Sequence, residues 1–362
     1  MKYLFAGGGT GGHIFPAIAI ADEIRKIDKE AKIIFIGAKG RIEEKIVPSN
    51  NYKLETIDIK GFNRESFNKN VTLPYKFISA LIRCRKIMKE FTPDVVIGTG
   101  GFVCGPVIYT ANRMRIPTLI QEGNSYAGRT IKFLAPNSDK VVINFEETRN
   151  YLKRKDNIVK ISHPIRSSLK KTDRKTALEY FELSSDKKTL FIFGGSQGAR
   201  GINNGVEKII NRLSDNKLNV IWQTGKSDHE RLNKKFSYLR SSLKILEFIE
   251  NIEYAYSASD IVICRAGITS IMEIAYLEKA SILIPLPSSA DNHQELNARS
   301  LAAKGAAILV KQSEIEEKLL DEITNLLKDE KKIEEMKKEI KLFADVDAAS
   351  KIAKEAIKLI NN

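Results

Sequence analysis

Short runs of apolar, mostly β-branched residues recur along the chain, each giving way to small residues and then to a segment whose apolar positions return every three or four residues. A continuous apolar run suits a strand buried on both faces, and the amphipathic segment after it suits the helix that covers it. The pattern therefore predicts βα units built around parallel sheets. The runs lie at residues 2–7 (KYLFAG), 31–37 (AKIIFIG), 93–98 (PDVVIG), 117–121 (PTLIQ), 140–144 (KVVIN), 188–194 (KTLFIFG), 219–223 (NVIWQ), 260–264 (DIVIC) and 281–286 (SILIPL). They are too many for one small sheet.

A weak internal repeat divides them. Strand, glycine loop and helix at 2–25 return at 188–210, and the unit at 95–106 (VVIGTGGFVCGP) resembles that at 261–274 (IVICRAGITSIMEI). The expectation is an α/β chain of two Rossmann-like, doubly wound parallel-sheet domains facing one another. The first covers 1–163 and ends after its fifth strand, near His163–Pro164; the second covers 164–344. Residues 348–362 have helical apolar spacing that could dock on either domain, and 345–362 is expected to complete the first. A length of 362 residues agrees with two domains.

Composition bears on partners more than on fold. With 59 Lys+Arg against 45 Asp+Glu the formal charge is +14, which suits nucleic acid, an anionic membrane surface or anionic substrates. Part of the excess sits in segments such as 311–341, where lysines mix with acids as on solvated helix faces. An apolar content of 43% excludes a charged disordered tail. Cys84, Cys104 and Cys264 are odd in number and far apart, so neither a disulfide framework nor a cysteine zinc site is expected, and the natural compartment is a reducing cytosol. The opening MKYLFAGGGTGG lacks the pattern of a secretion signal, and the stretch 95–111 is broken by glycines and Pro106, so no membrane span is expected.

Several loops are candidates for chemistry. Gly7-Gly8-Gly9-Thr10-Gly11-Gly12 satisfies G-x-G-x-x-G between a strand and a helix, either as a dinucleotide site or as a tight turn. A nicotinamide site needs an acid at the end of the second strand, and the residues there are Ile36-Gly37-Ala38-Lys39. Gly225-Lys226-Ser227 imitates the end of a P-loop, but Val220 stands where the first glycine belongs, so a turn is expected. Asp345-Val346-Asp347 reads as a surface occurrence and not as a metal clamp. The loop from Gly194 to Arg200 joins a strand to a helix, where free N–H groups and the helix dipole suit a diphosphate. Glu273, one turn into a helix after Cys264, could accept both hydroxyls of a ribose; equally, Ser270 and Glu273 have the spacing of a capping box, which the residues alone favour.

Five motifs stand in series: Gly8 to Pro16 (GGTGGHIFP), Gly98 to Pro106 (GTGGFVCGP), Gly194 to Arg200, Cys264 to Glu273, and Asp291 to Ala298 (DNHQELNA). In this order and at these separations they resemble the MurG family of N-acetylglucosaminyltransferases, which convert lipid I into lipid II in bacterial peptidoglycan synthesis. The likeness covers nearly the whole chain. It implies a GT-B fold with a central cleft, UDP-N-acetylglucosamine held by the C-terminal domain and the polyprenyl-pyrophosphate-linked acceptor by the N-terminal one. Carried over by motif, Ser196 would contact the donor diphosphate with Arg166 near it, Glu273 the ribose, Ile249 the uracil and Gln294 the sugar hydroxyls. The backbone of Ile268, Thr269, Ser270, Ile271 and Met272 would line the nucleotide, and Thr10, Gly11, Gly12 and Asn124 the sugar side. Where many members read H-E-Q-N this chain has Gln121-Glu122-Gly123-Asn124, and where some carry paired glutamines it has His293-Gln294.

The implied reaction is inverting transfer of N-acetylglucosamine to the C4 hydroxyl of the muramyl sugar of lipid I. It needs a base, and His13 is the candidate because an imidazole accepts a proton near neutrality; Glu122 is its rival. His163 and His229 read as structural or surface residues. Leaving-group charge would fall on the 194–200 loop and Arg166, so no metal and no cofactor is expected. Residues 71–91 carry Phe77, Ile78, Leu81, Ile82 and Met88 at helical spacing among Lys76, Arg83, Arg85, Lys86 and Lys89. That helix either packs on the sheet or lies in an anionic interface, which would place the protein peripherally on the cytoplasmic face of the bacterial plasma membrane, with contacts to other cell-wall synthesis proteins. A diacylglycerol glycosyltransferase is the alternative within the chemistry. A non-catalytic basic nucleotide- or RNA-binding protein is the alternative outside it, although no nucleic-acid signature is present.

Overall fold

The structure is a computed structural model and describes residues 1–62, 70–166, 169–195, 198–215 and 218–361. The chain divides into two compact units, Met1–Ser167 with Asp345–Asn362, and Ser168–Ala344.

In the first unit seven parallel strands, β1 (Lys2–Ala6), β2 (Lys32–Ala38), β3 (Lys53–Ile57), β4 (Val95–Gly98), β5 (Thr118–Glu122), β6 (Lys140–Ile143) and β7 (Ile158–Lys160), stand in the order β3-β2-β1-β4-β5-β6-β7. Alternate residues of each strand point to opposite faces, and both faces are covered. Tyr3 and Phe5 of β1 pack with Ile14, Ile20 and Ile24 of α1 (Gly11–Ile27) and with Ile352 and Ala356 of α14 (Ala348–Asn361). Leu4 and Ala6 of the same strand pack with Cys84 and Met88 of α3 (Leu73–Phe91) and Ile108 of α4 (Cys104–Arg113). The C-terminal helix is therefore a covering layer of the first sheet.

The second unit repeats the plan. Six parallel strands, β8 (Thr189–Phe193), β9 (Asn219–Gln223), β10 (Leu243–Leu246), β11 (Ile261–Cys264), β12 (Ala280–Leu283) and β13 (Ile308–Leu309), run in the order β10-β9-β8-β11-β12-β13. Helices α7 (Arg200–Asp215) and α10 (Ile268–Tyr276) follow β8 and β11. All nine apolar runs are strands. Four further strands, β3, β7, β10 and β13, are the outermost of their sheets, where one side of the ladder faces no neighbour and the apolar run is short or interrupted.

In each unit the chain leaves the first strand toward one edge and later returns to its other side, so β1 abuts β4 and β8 abuts β11. Two crevices result at the carboxyl ends of these pairs, where ligands of doubly wound sheets bind. The segment around His163, expected as a domain boundary, lies inside the first unit. Its backbone N–H donates to Asn144 Oδ1 at 2.9 Å, and its Nδ1 lies 2.9 Å from Gln121 Nε2. These bonds tie the segment after β7 to the ends of β5 and β6.

Two outcomes follow. Ile352→Ala removes a fully buried side chain from the α1–α14 layer and is expected to cost about 2–5 kcal/mol of unfolding free energy in a urea titration. His163 has its pKa lowered from 6.5 to about 3, by burial first and then by His13. Between about pH 3 and 6.5 the unfolded chain binds a proton at this position that the folded chain refuses, so stability falls with falling pH in that window, by at most about 1.4 kcal/mol per pH unit. His163→Gln should lack this contribution, so the calorimetric stability difference between variant and parent should change with pH across the same window, in the variant's favour as pH falls.

Candidate functional site

The first crevice is built around His13. It sits in the opening turn of α1, three residues beyond the N-cap Thr10, in the loop that leaves β1. Its Nδ1 lies 3.2 Å from Thr99 O. A carbonyl only accepts, so Nδ1 is the donor in this contact. The ring packs against the loop after β4. A Cβ on Gly100, where φ is +105°, would stand 2.5 Å from His13 Nδ1, and one on Gly101, where φ is +82°, would stand 2.5 Å from Gly8 O and 3.1 Å from His13 Cδ2. Only glycine fits at both positions. Thr99 Oγ1 also donates to His13 O at 2.6 Å.

Glu122 ends β5 and is 5% exposed. Its Oε1 accepts from the backbone N–H and the Nδ2 of Asn124, both at 3.0 Å, and its Oε2 accepts from Gly128 N–H at 2.8 Å. The carboxylate thus organises the 123–128 loop. Asn124 is held by Glu122 and, through its carbonyl, by Thr148 Oγ1 at 2.9 Å. Gln121, which departs from the H-E-Q-N pattern, forms an amide–imidazole pair with His163. Arg166 belongs to the first unit. Cys104 Sγ, beneath the loop, lies 3.0 Å from both Ala6 O and Gly100 O, which share its one S–H, and burial pushes its thiol up to about 12.

The second crevice lies between the 194–199 loop and the loop before α10. Ser196 lies outside the described residues. Around it, Gly195 and Gly198 have φ of +99° and +75°, and a Cβ on Gly198 would meet Thr224 O at 2.1 Å. Helix α10 begins after its N-cap Gly267. Ser270 is the third helical residue, so the capping-box reading is overturned. Glu273 instead accepts from Tyr256 Oη at 2.9 Å through Oε2 and is 5% exposed. The side chains of Ile271 and Met272 are fully buried, and Ile271 N–H is bonded to Gly267 O. The N–H groups of Ile268, Thr269 and Ser270, at the helix start, have no intrahelical acceptor. Thr269 Oγ1, at the same end, is shielded from solvent and has no partner among the described residues.

Two residues of this crevice escape sequence reasoning. Gln223, 2% exposed at the end of β9, donates from Nε2 to Gly195 O at 3.0 Å and accepts Ile249 N–H at Oε1, 2.9 Å away. One amide thus joins the glycine loop to the segment carrying Ile249. Its signal is a polar residue closing an apolar run. Arg265, which burial lowers to about 10, donates to Ile284 O, Pro285 O and Gln312 Oε1 and fixes the loop before α10 to the end of β12. Gln294, in the first turn of α11 (His293–Ala302), accepts Leu286 N–H at 2.9 Å. Among the described residues no group of three or more His, Cys, Asp or Glu is placed to hold a metal ion.

Helix α3 has two apolar faces. Phe77, Ala80, Cys84, Ile87 and Met88 pack on the sheet, so for Phe77 and Met88 the packing alternative holds. Val71, before the helix, and Tyr75, Ile78 and Ile82 face solvent, 58–76% exposed, in line with exposed Arg85, Lys86 and Lys89. Beside them Phe77, Phe102 and Phe133 line an apolar cavity of about 730 Å³ with Lys60 and Arg129 at its wall. No described helix is long and apolar enough to cross a membrane.

Comparison with known proteins agrees with this arrangement. Residues 3–143 match the glycosyltransferase family 28 N-terminal domain, and residues 189–352 match the glycosyltransferase family 28 C-terminal domain. A UDP-N-acetylglucosamine:N-acetylmuramyl-(pentapeptide) pyrophosphoryl-undecaprenol N-acetylglucosamine transferase from Christiangramia forsetii is 40% identical, covering 100% of this chain and 98% of that protein. The protein of the same description from Bacteroides thetaiotaomicron is 41% identical over 99% of this chain and 98% of its own length. The crystal structure of Acinetobacter baumannii MurG superimposes with a TM-score of 0.79 at 26% identity, covering 99% of each chain. The fold is that of GT-B glycosyltransferases, and the chain belongs to glycosyltransferase family 28, within its MurG members.

Proposed function

We propose that this chain transfers N-acetylglucosamine, with inversion, from UDP-N-acetylglucosamine to the C4 hydroxyl of the muramyl sugar of undecaprenyl-pyrophosphoryl-MurNAc-pentapeptide. The donor belongs to the second unit and the acceptor to the first. The observation that carries the acid–base part is the seat of His13, with Nδ1 directed at Thr99 O and the ring pressed on Gly100 and Gly101. Its Nε2 takes the proton as the acceptor oxygen bonds to the anomeric carbon, while the bond from that carbon to the UDP oxygen breaks. Glu273 receives the ribose hydroxyls, Ile249 lies against the uracil, and Gln294 reaches the sugar. The charge on departing UDP is met by the 194–198 loop with Ser196, the start of α10 and Arg166, so no metal ion is required. Neither the diacylglycerol nor the RNA-binding alternative gains a specific observation.

Incubated with labelled UDP-N-acetylglucosamine and lipid I in the presence of a chelator, the protein is expected to form lipid II. His13→Ala should lower turnover about 10²–10⁴-fold with the UDP dissociation constant nearly unchanged. Equal turnover in the variant would remove His13 as base.

The acceptor is a membrane lipid, and the solvent face of α3 offers the means to reach it. Val71, Tyr75, Ile78 and Ile82 enter the interface while Arg85, Lys86 and Lys89 meet anionic headgroups, at about 1 kcal/mol per basic residue. In this reading the protein works peripherally on the cytoplasmic face of the plasma membrane, and the exposed apolar residues beside basic ones support the membrane contact. In vesicle flotation the parent should rise with anionic but not neutral vesicles, and Ile78→Glu with Ile82→Glu should stay behind at unaltered thermal stability. Flotation of that variant equal to the parent's would reject the α3 face.

A further inference from the structure

The first crevice holds a carboxylate that the reaction above does not use. Glu43 opens α2 (Glu43–Ser49) and is fully buried. Oε1 and Oε2 lie 3.2 and 3.1 Å from Gly9 N, and Oε1 also accepts Ala38 N–H at 2.9 Å, at the end of β2. Both oxygens act as acceptors, and among the described residues no cation pairs with them. The backbone is shaped around this side chain. A Cβ on Gly8 would stand 2.2 Å from Glu43 Oε1, and one on Gly37 would stand 2.6 Å from Glu43 Cγ.

In a strand–glycine–helix loop that grips a nucleotide, the loop N–H groups and the helix start face the ligand's phosphates. Here the Gly9 N–H is already taken, from inside, by the protein's own anion. The hold passes directly to His13, because Gly8 O abuts Gly101, and Gly101 abuts the imidazole. We propose that Glu43 is a positioning residue for the transfer reaction: an internal anion that fixes the Gly7–Gly12 loop in the shape that seats His13, and that denies the loop to a nucleotide diphosphate. The proposal rests on the reading of His13 as the base on the acceptor side.

The test uses the full chain carrying Glu43→Gln, which keeps the size of the side chain but sets an amide NH₂ against a backbone N–H. kcat/KM for the acceptor is expected to fall about 10–100-fold, while the donor KM and the UDP dissociation constant stay within about twofold. The imidazole NMR signal of His13, assigned by its loss in His13→Ala, should shift. In Glu43→Ala, added formate should restore part of the rate by refilling the vacated space, which a purely structural loss would not allow. Unaltered acceptor kinetics in Glu43→Gln, or a loss expressed through donor KM alone, would overturn the proposal. An inert parent protein would instead count against the reaction itself. The His13 signal is still read in that case, and its failure to shift overturns the role of Glu43. Should Glu43→Ala not fold, Glu43→Gln decides alone.

Discussion

A strand buried in the middle of a parallel sheet satisfies its backbone along its length and then stops, and the helix after it starts with N–H groups that have no acceptor of their own. Where two such endings lie side by side with their helices departing to opposite faces, unsatisfied donors and small residues converge on one point. Pairing of β1 with β4 and of β8 with β11 creates two such points in this chain. Much of the candidate chemistry gathers around these endings. His13 and Thr10 follow β1, and Thr99 to Gly101 follow β4. The 194–199 loop follows β8, and Thr269 and Glu273 follow β11.

The two points have the same topology but different chemistry, and the difference comes from what fills the loop. In the second unit the start of α10 has no side-chain cap, and Thr269 Oγ1 has no partner among the described residues, so polar capacity is left for a ligand. In the first, Glu43 accepts the Gly9 N–H, and His13 stands in the opening turn of the helix that follows. A G-x-G-x-x-G string is thus not enough to name a nucleotide site. The tenant of the loop decides, and here it is a side chain 34 residues downstream of Gly9.

The same economy of position marks α3. Its sheet-facing side supplies core and its solvent-facing side carries an apolar stripe that continues into basic residues. One helix thus packs an apolar face on the sheet and leaves a second one exposed. Sequence periodicity reports that a helix has apolar residues in register but does not say which of two stripes the sheet takes.

The amino-acid sequence by itself determined the class of fold, the nine interior strands and the family, because interior parallel strands must be apolar throughout and because glycine loops at fixed separations leave a strong local trace. It did not reveal β3, β7, β10 and β13, since an edge strand is half solvated and its composition resembles a loop's. The folded chain alone reveals that Ser270 is no cap, that Gln223 bridges Gly195 and Ile249, that Glu122 accepts from Asn124 and Gly128, and that Glu43 sits under Gly9. Each of these depends on a hydrogen bond or close approach between segments brought together by the sheet order, and no local spacing records such a meeting.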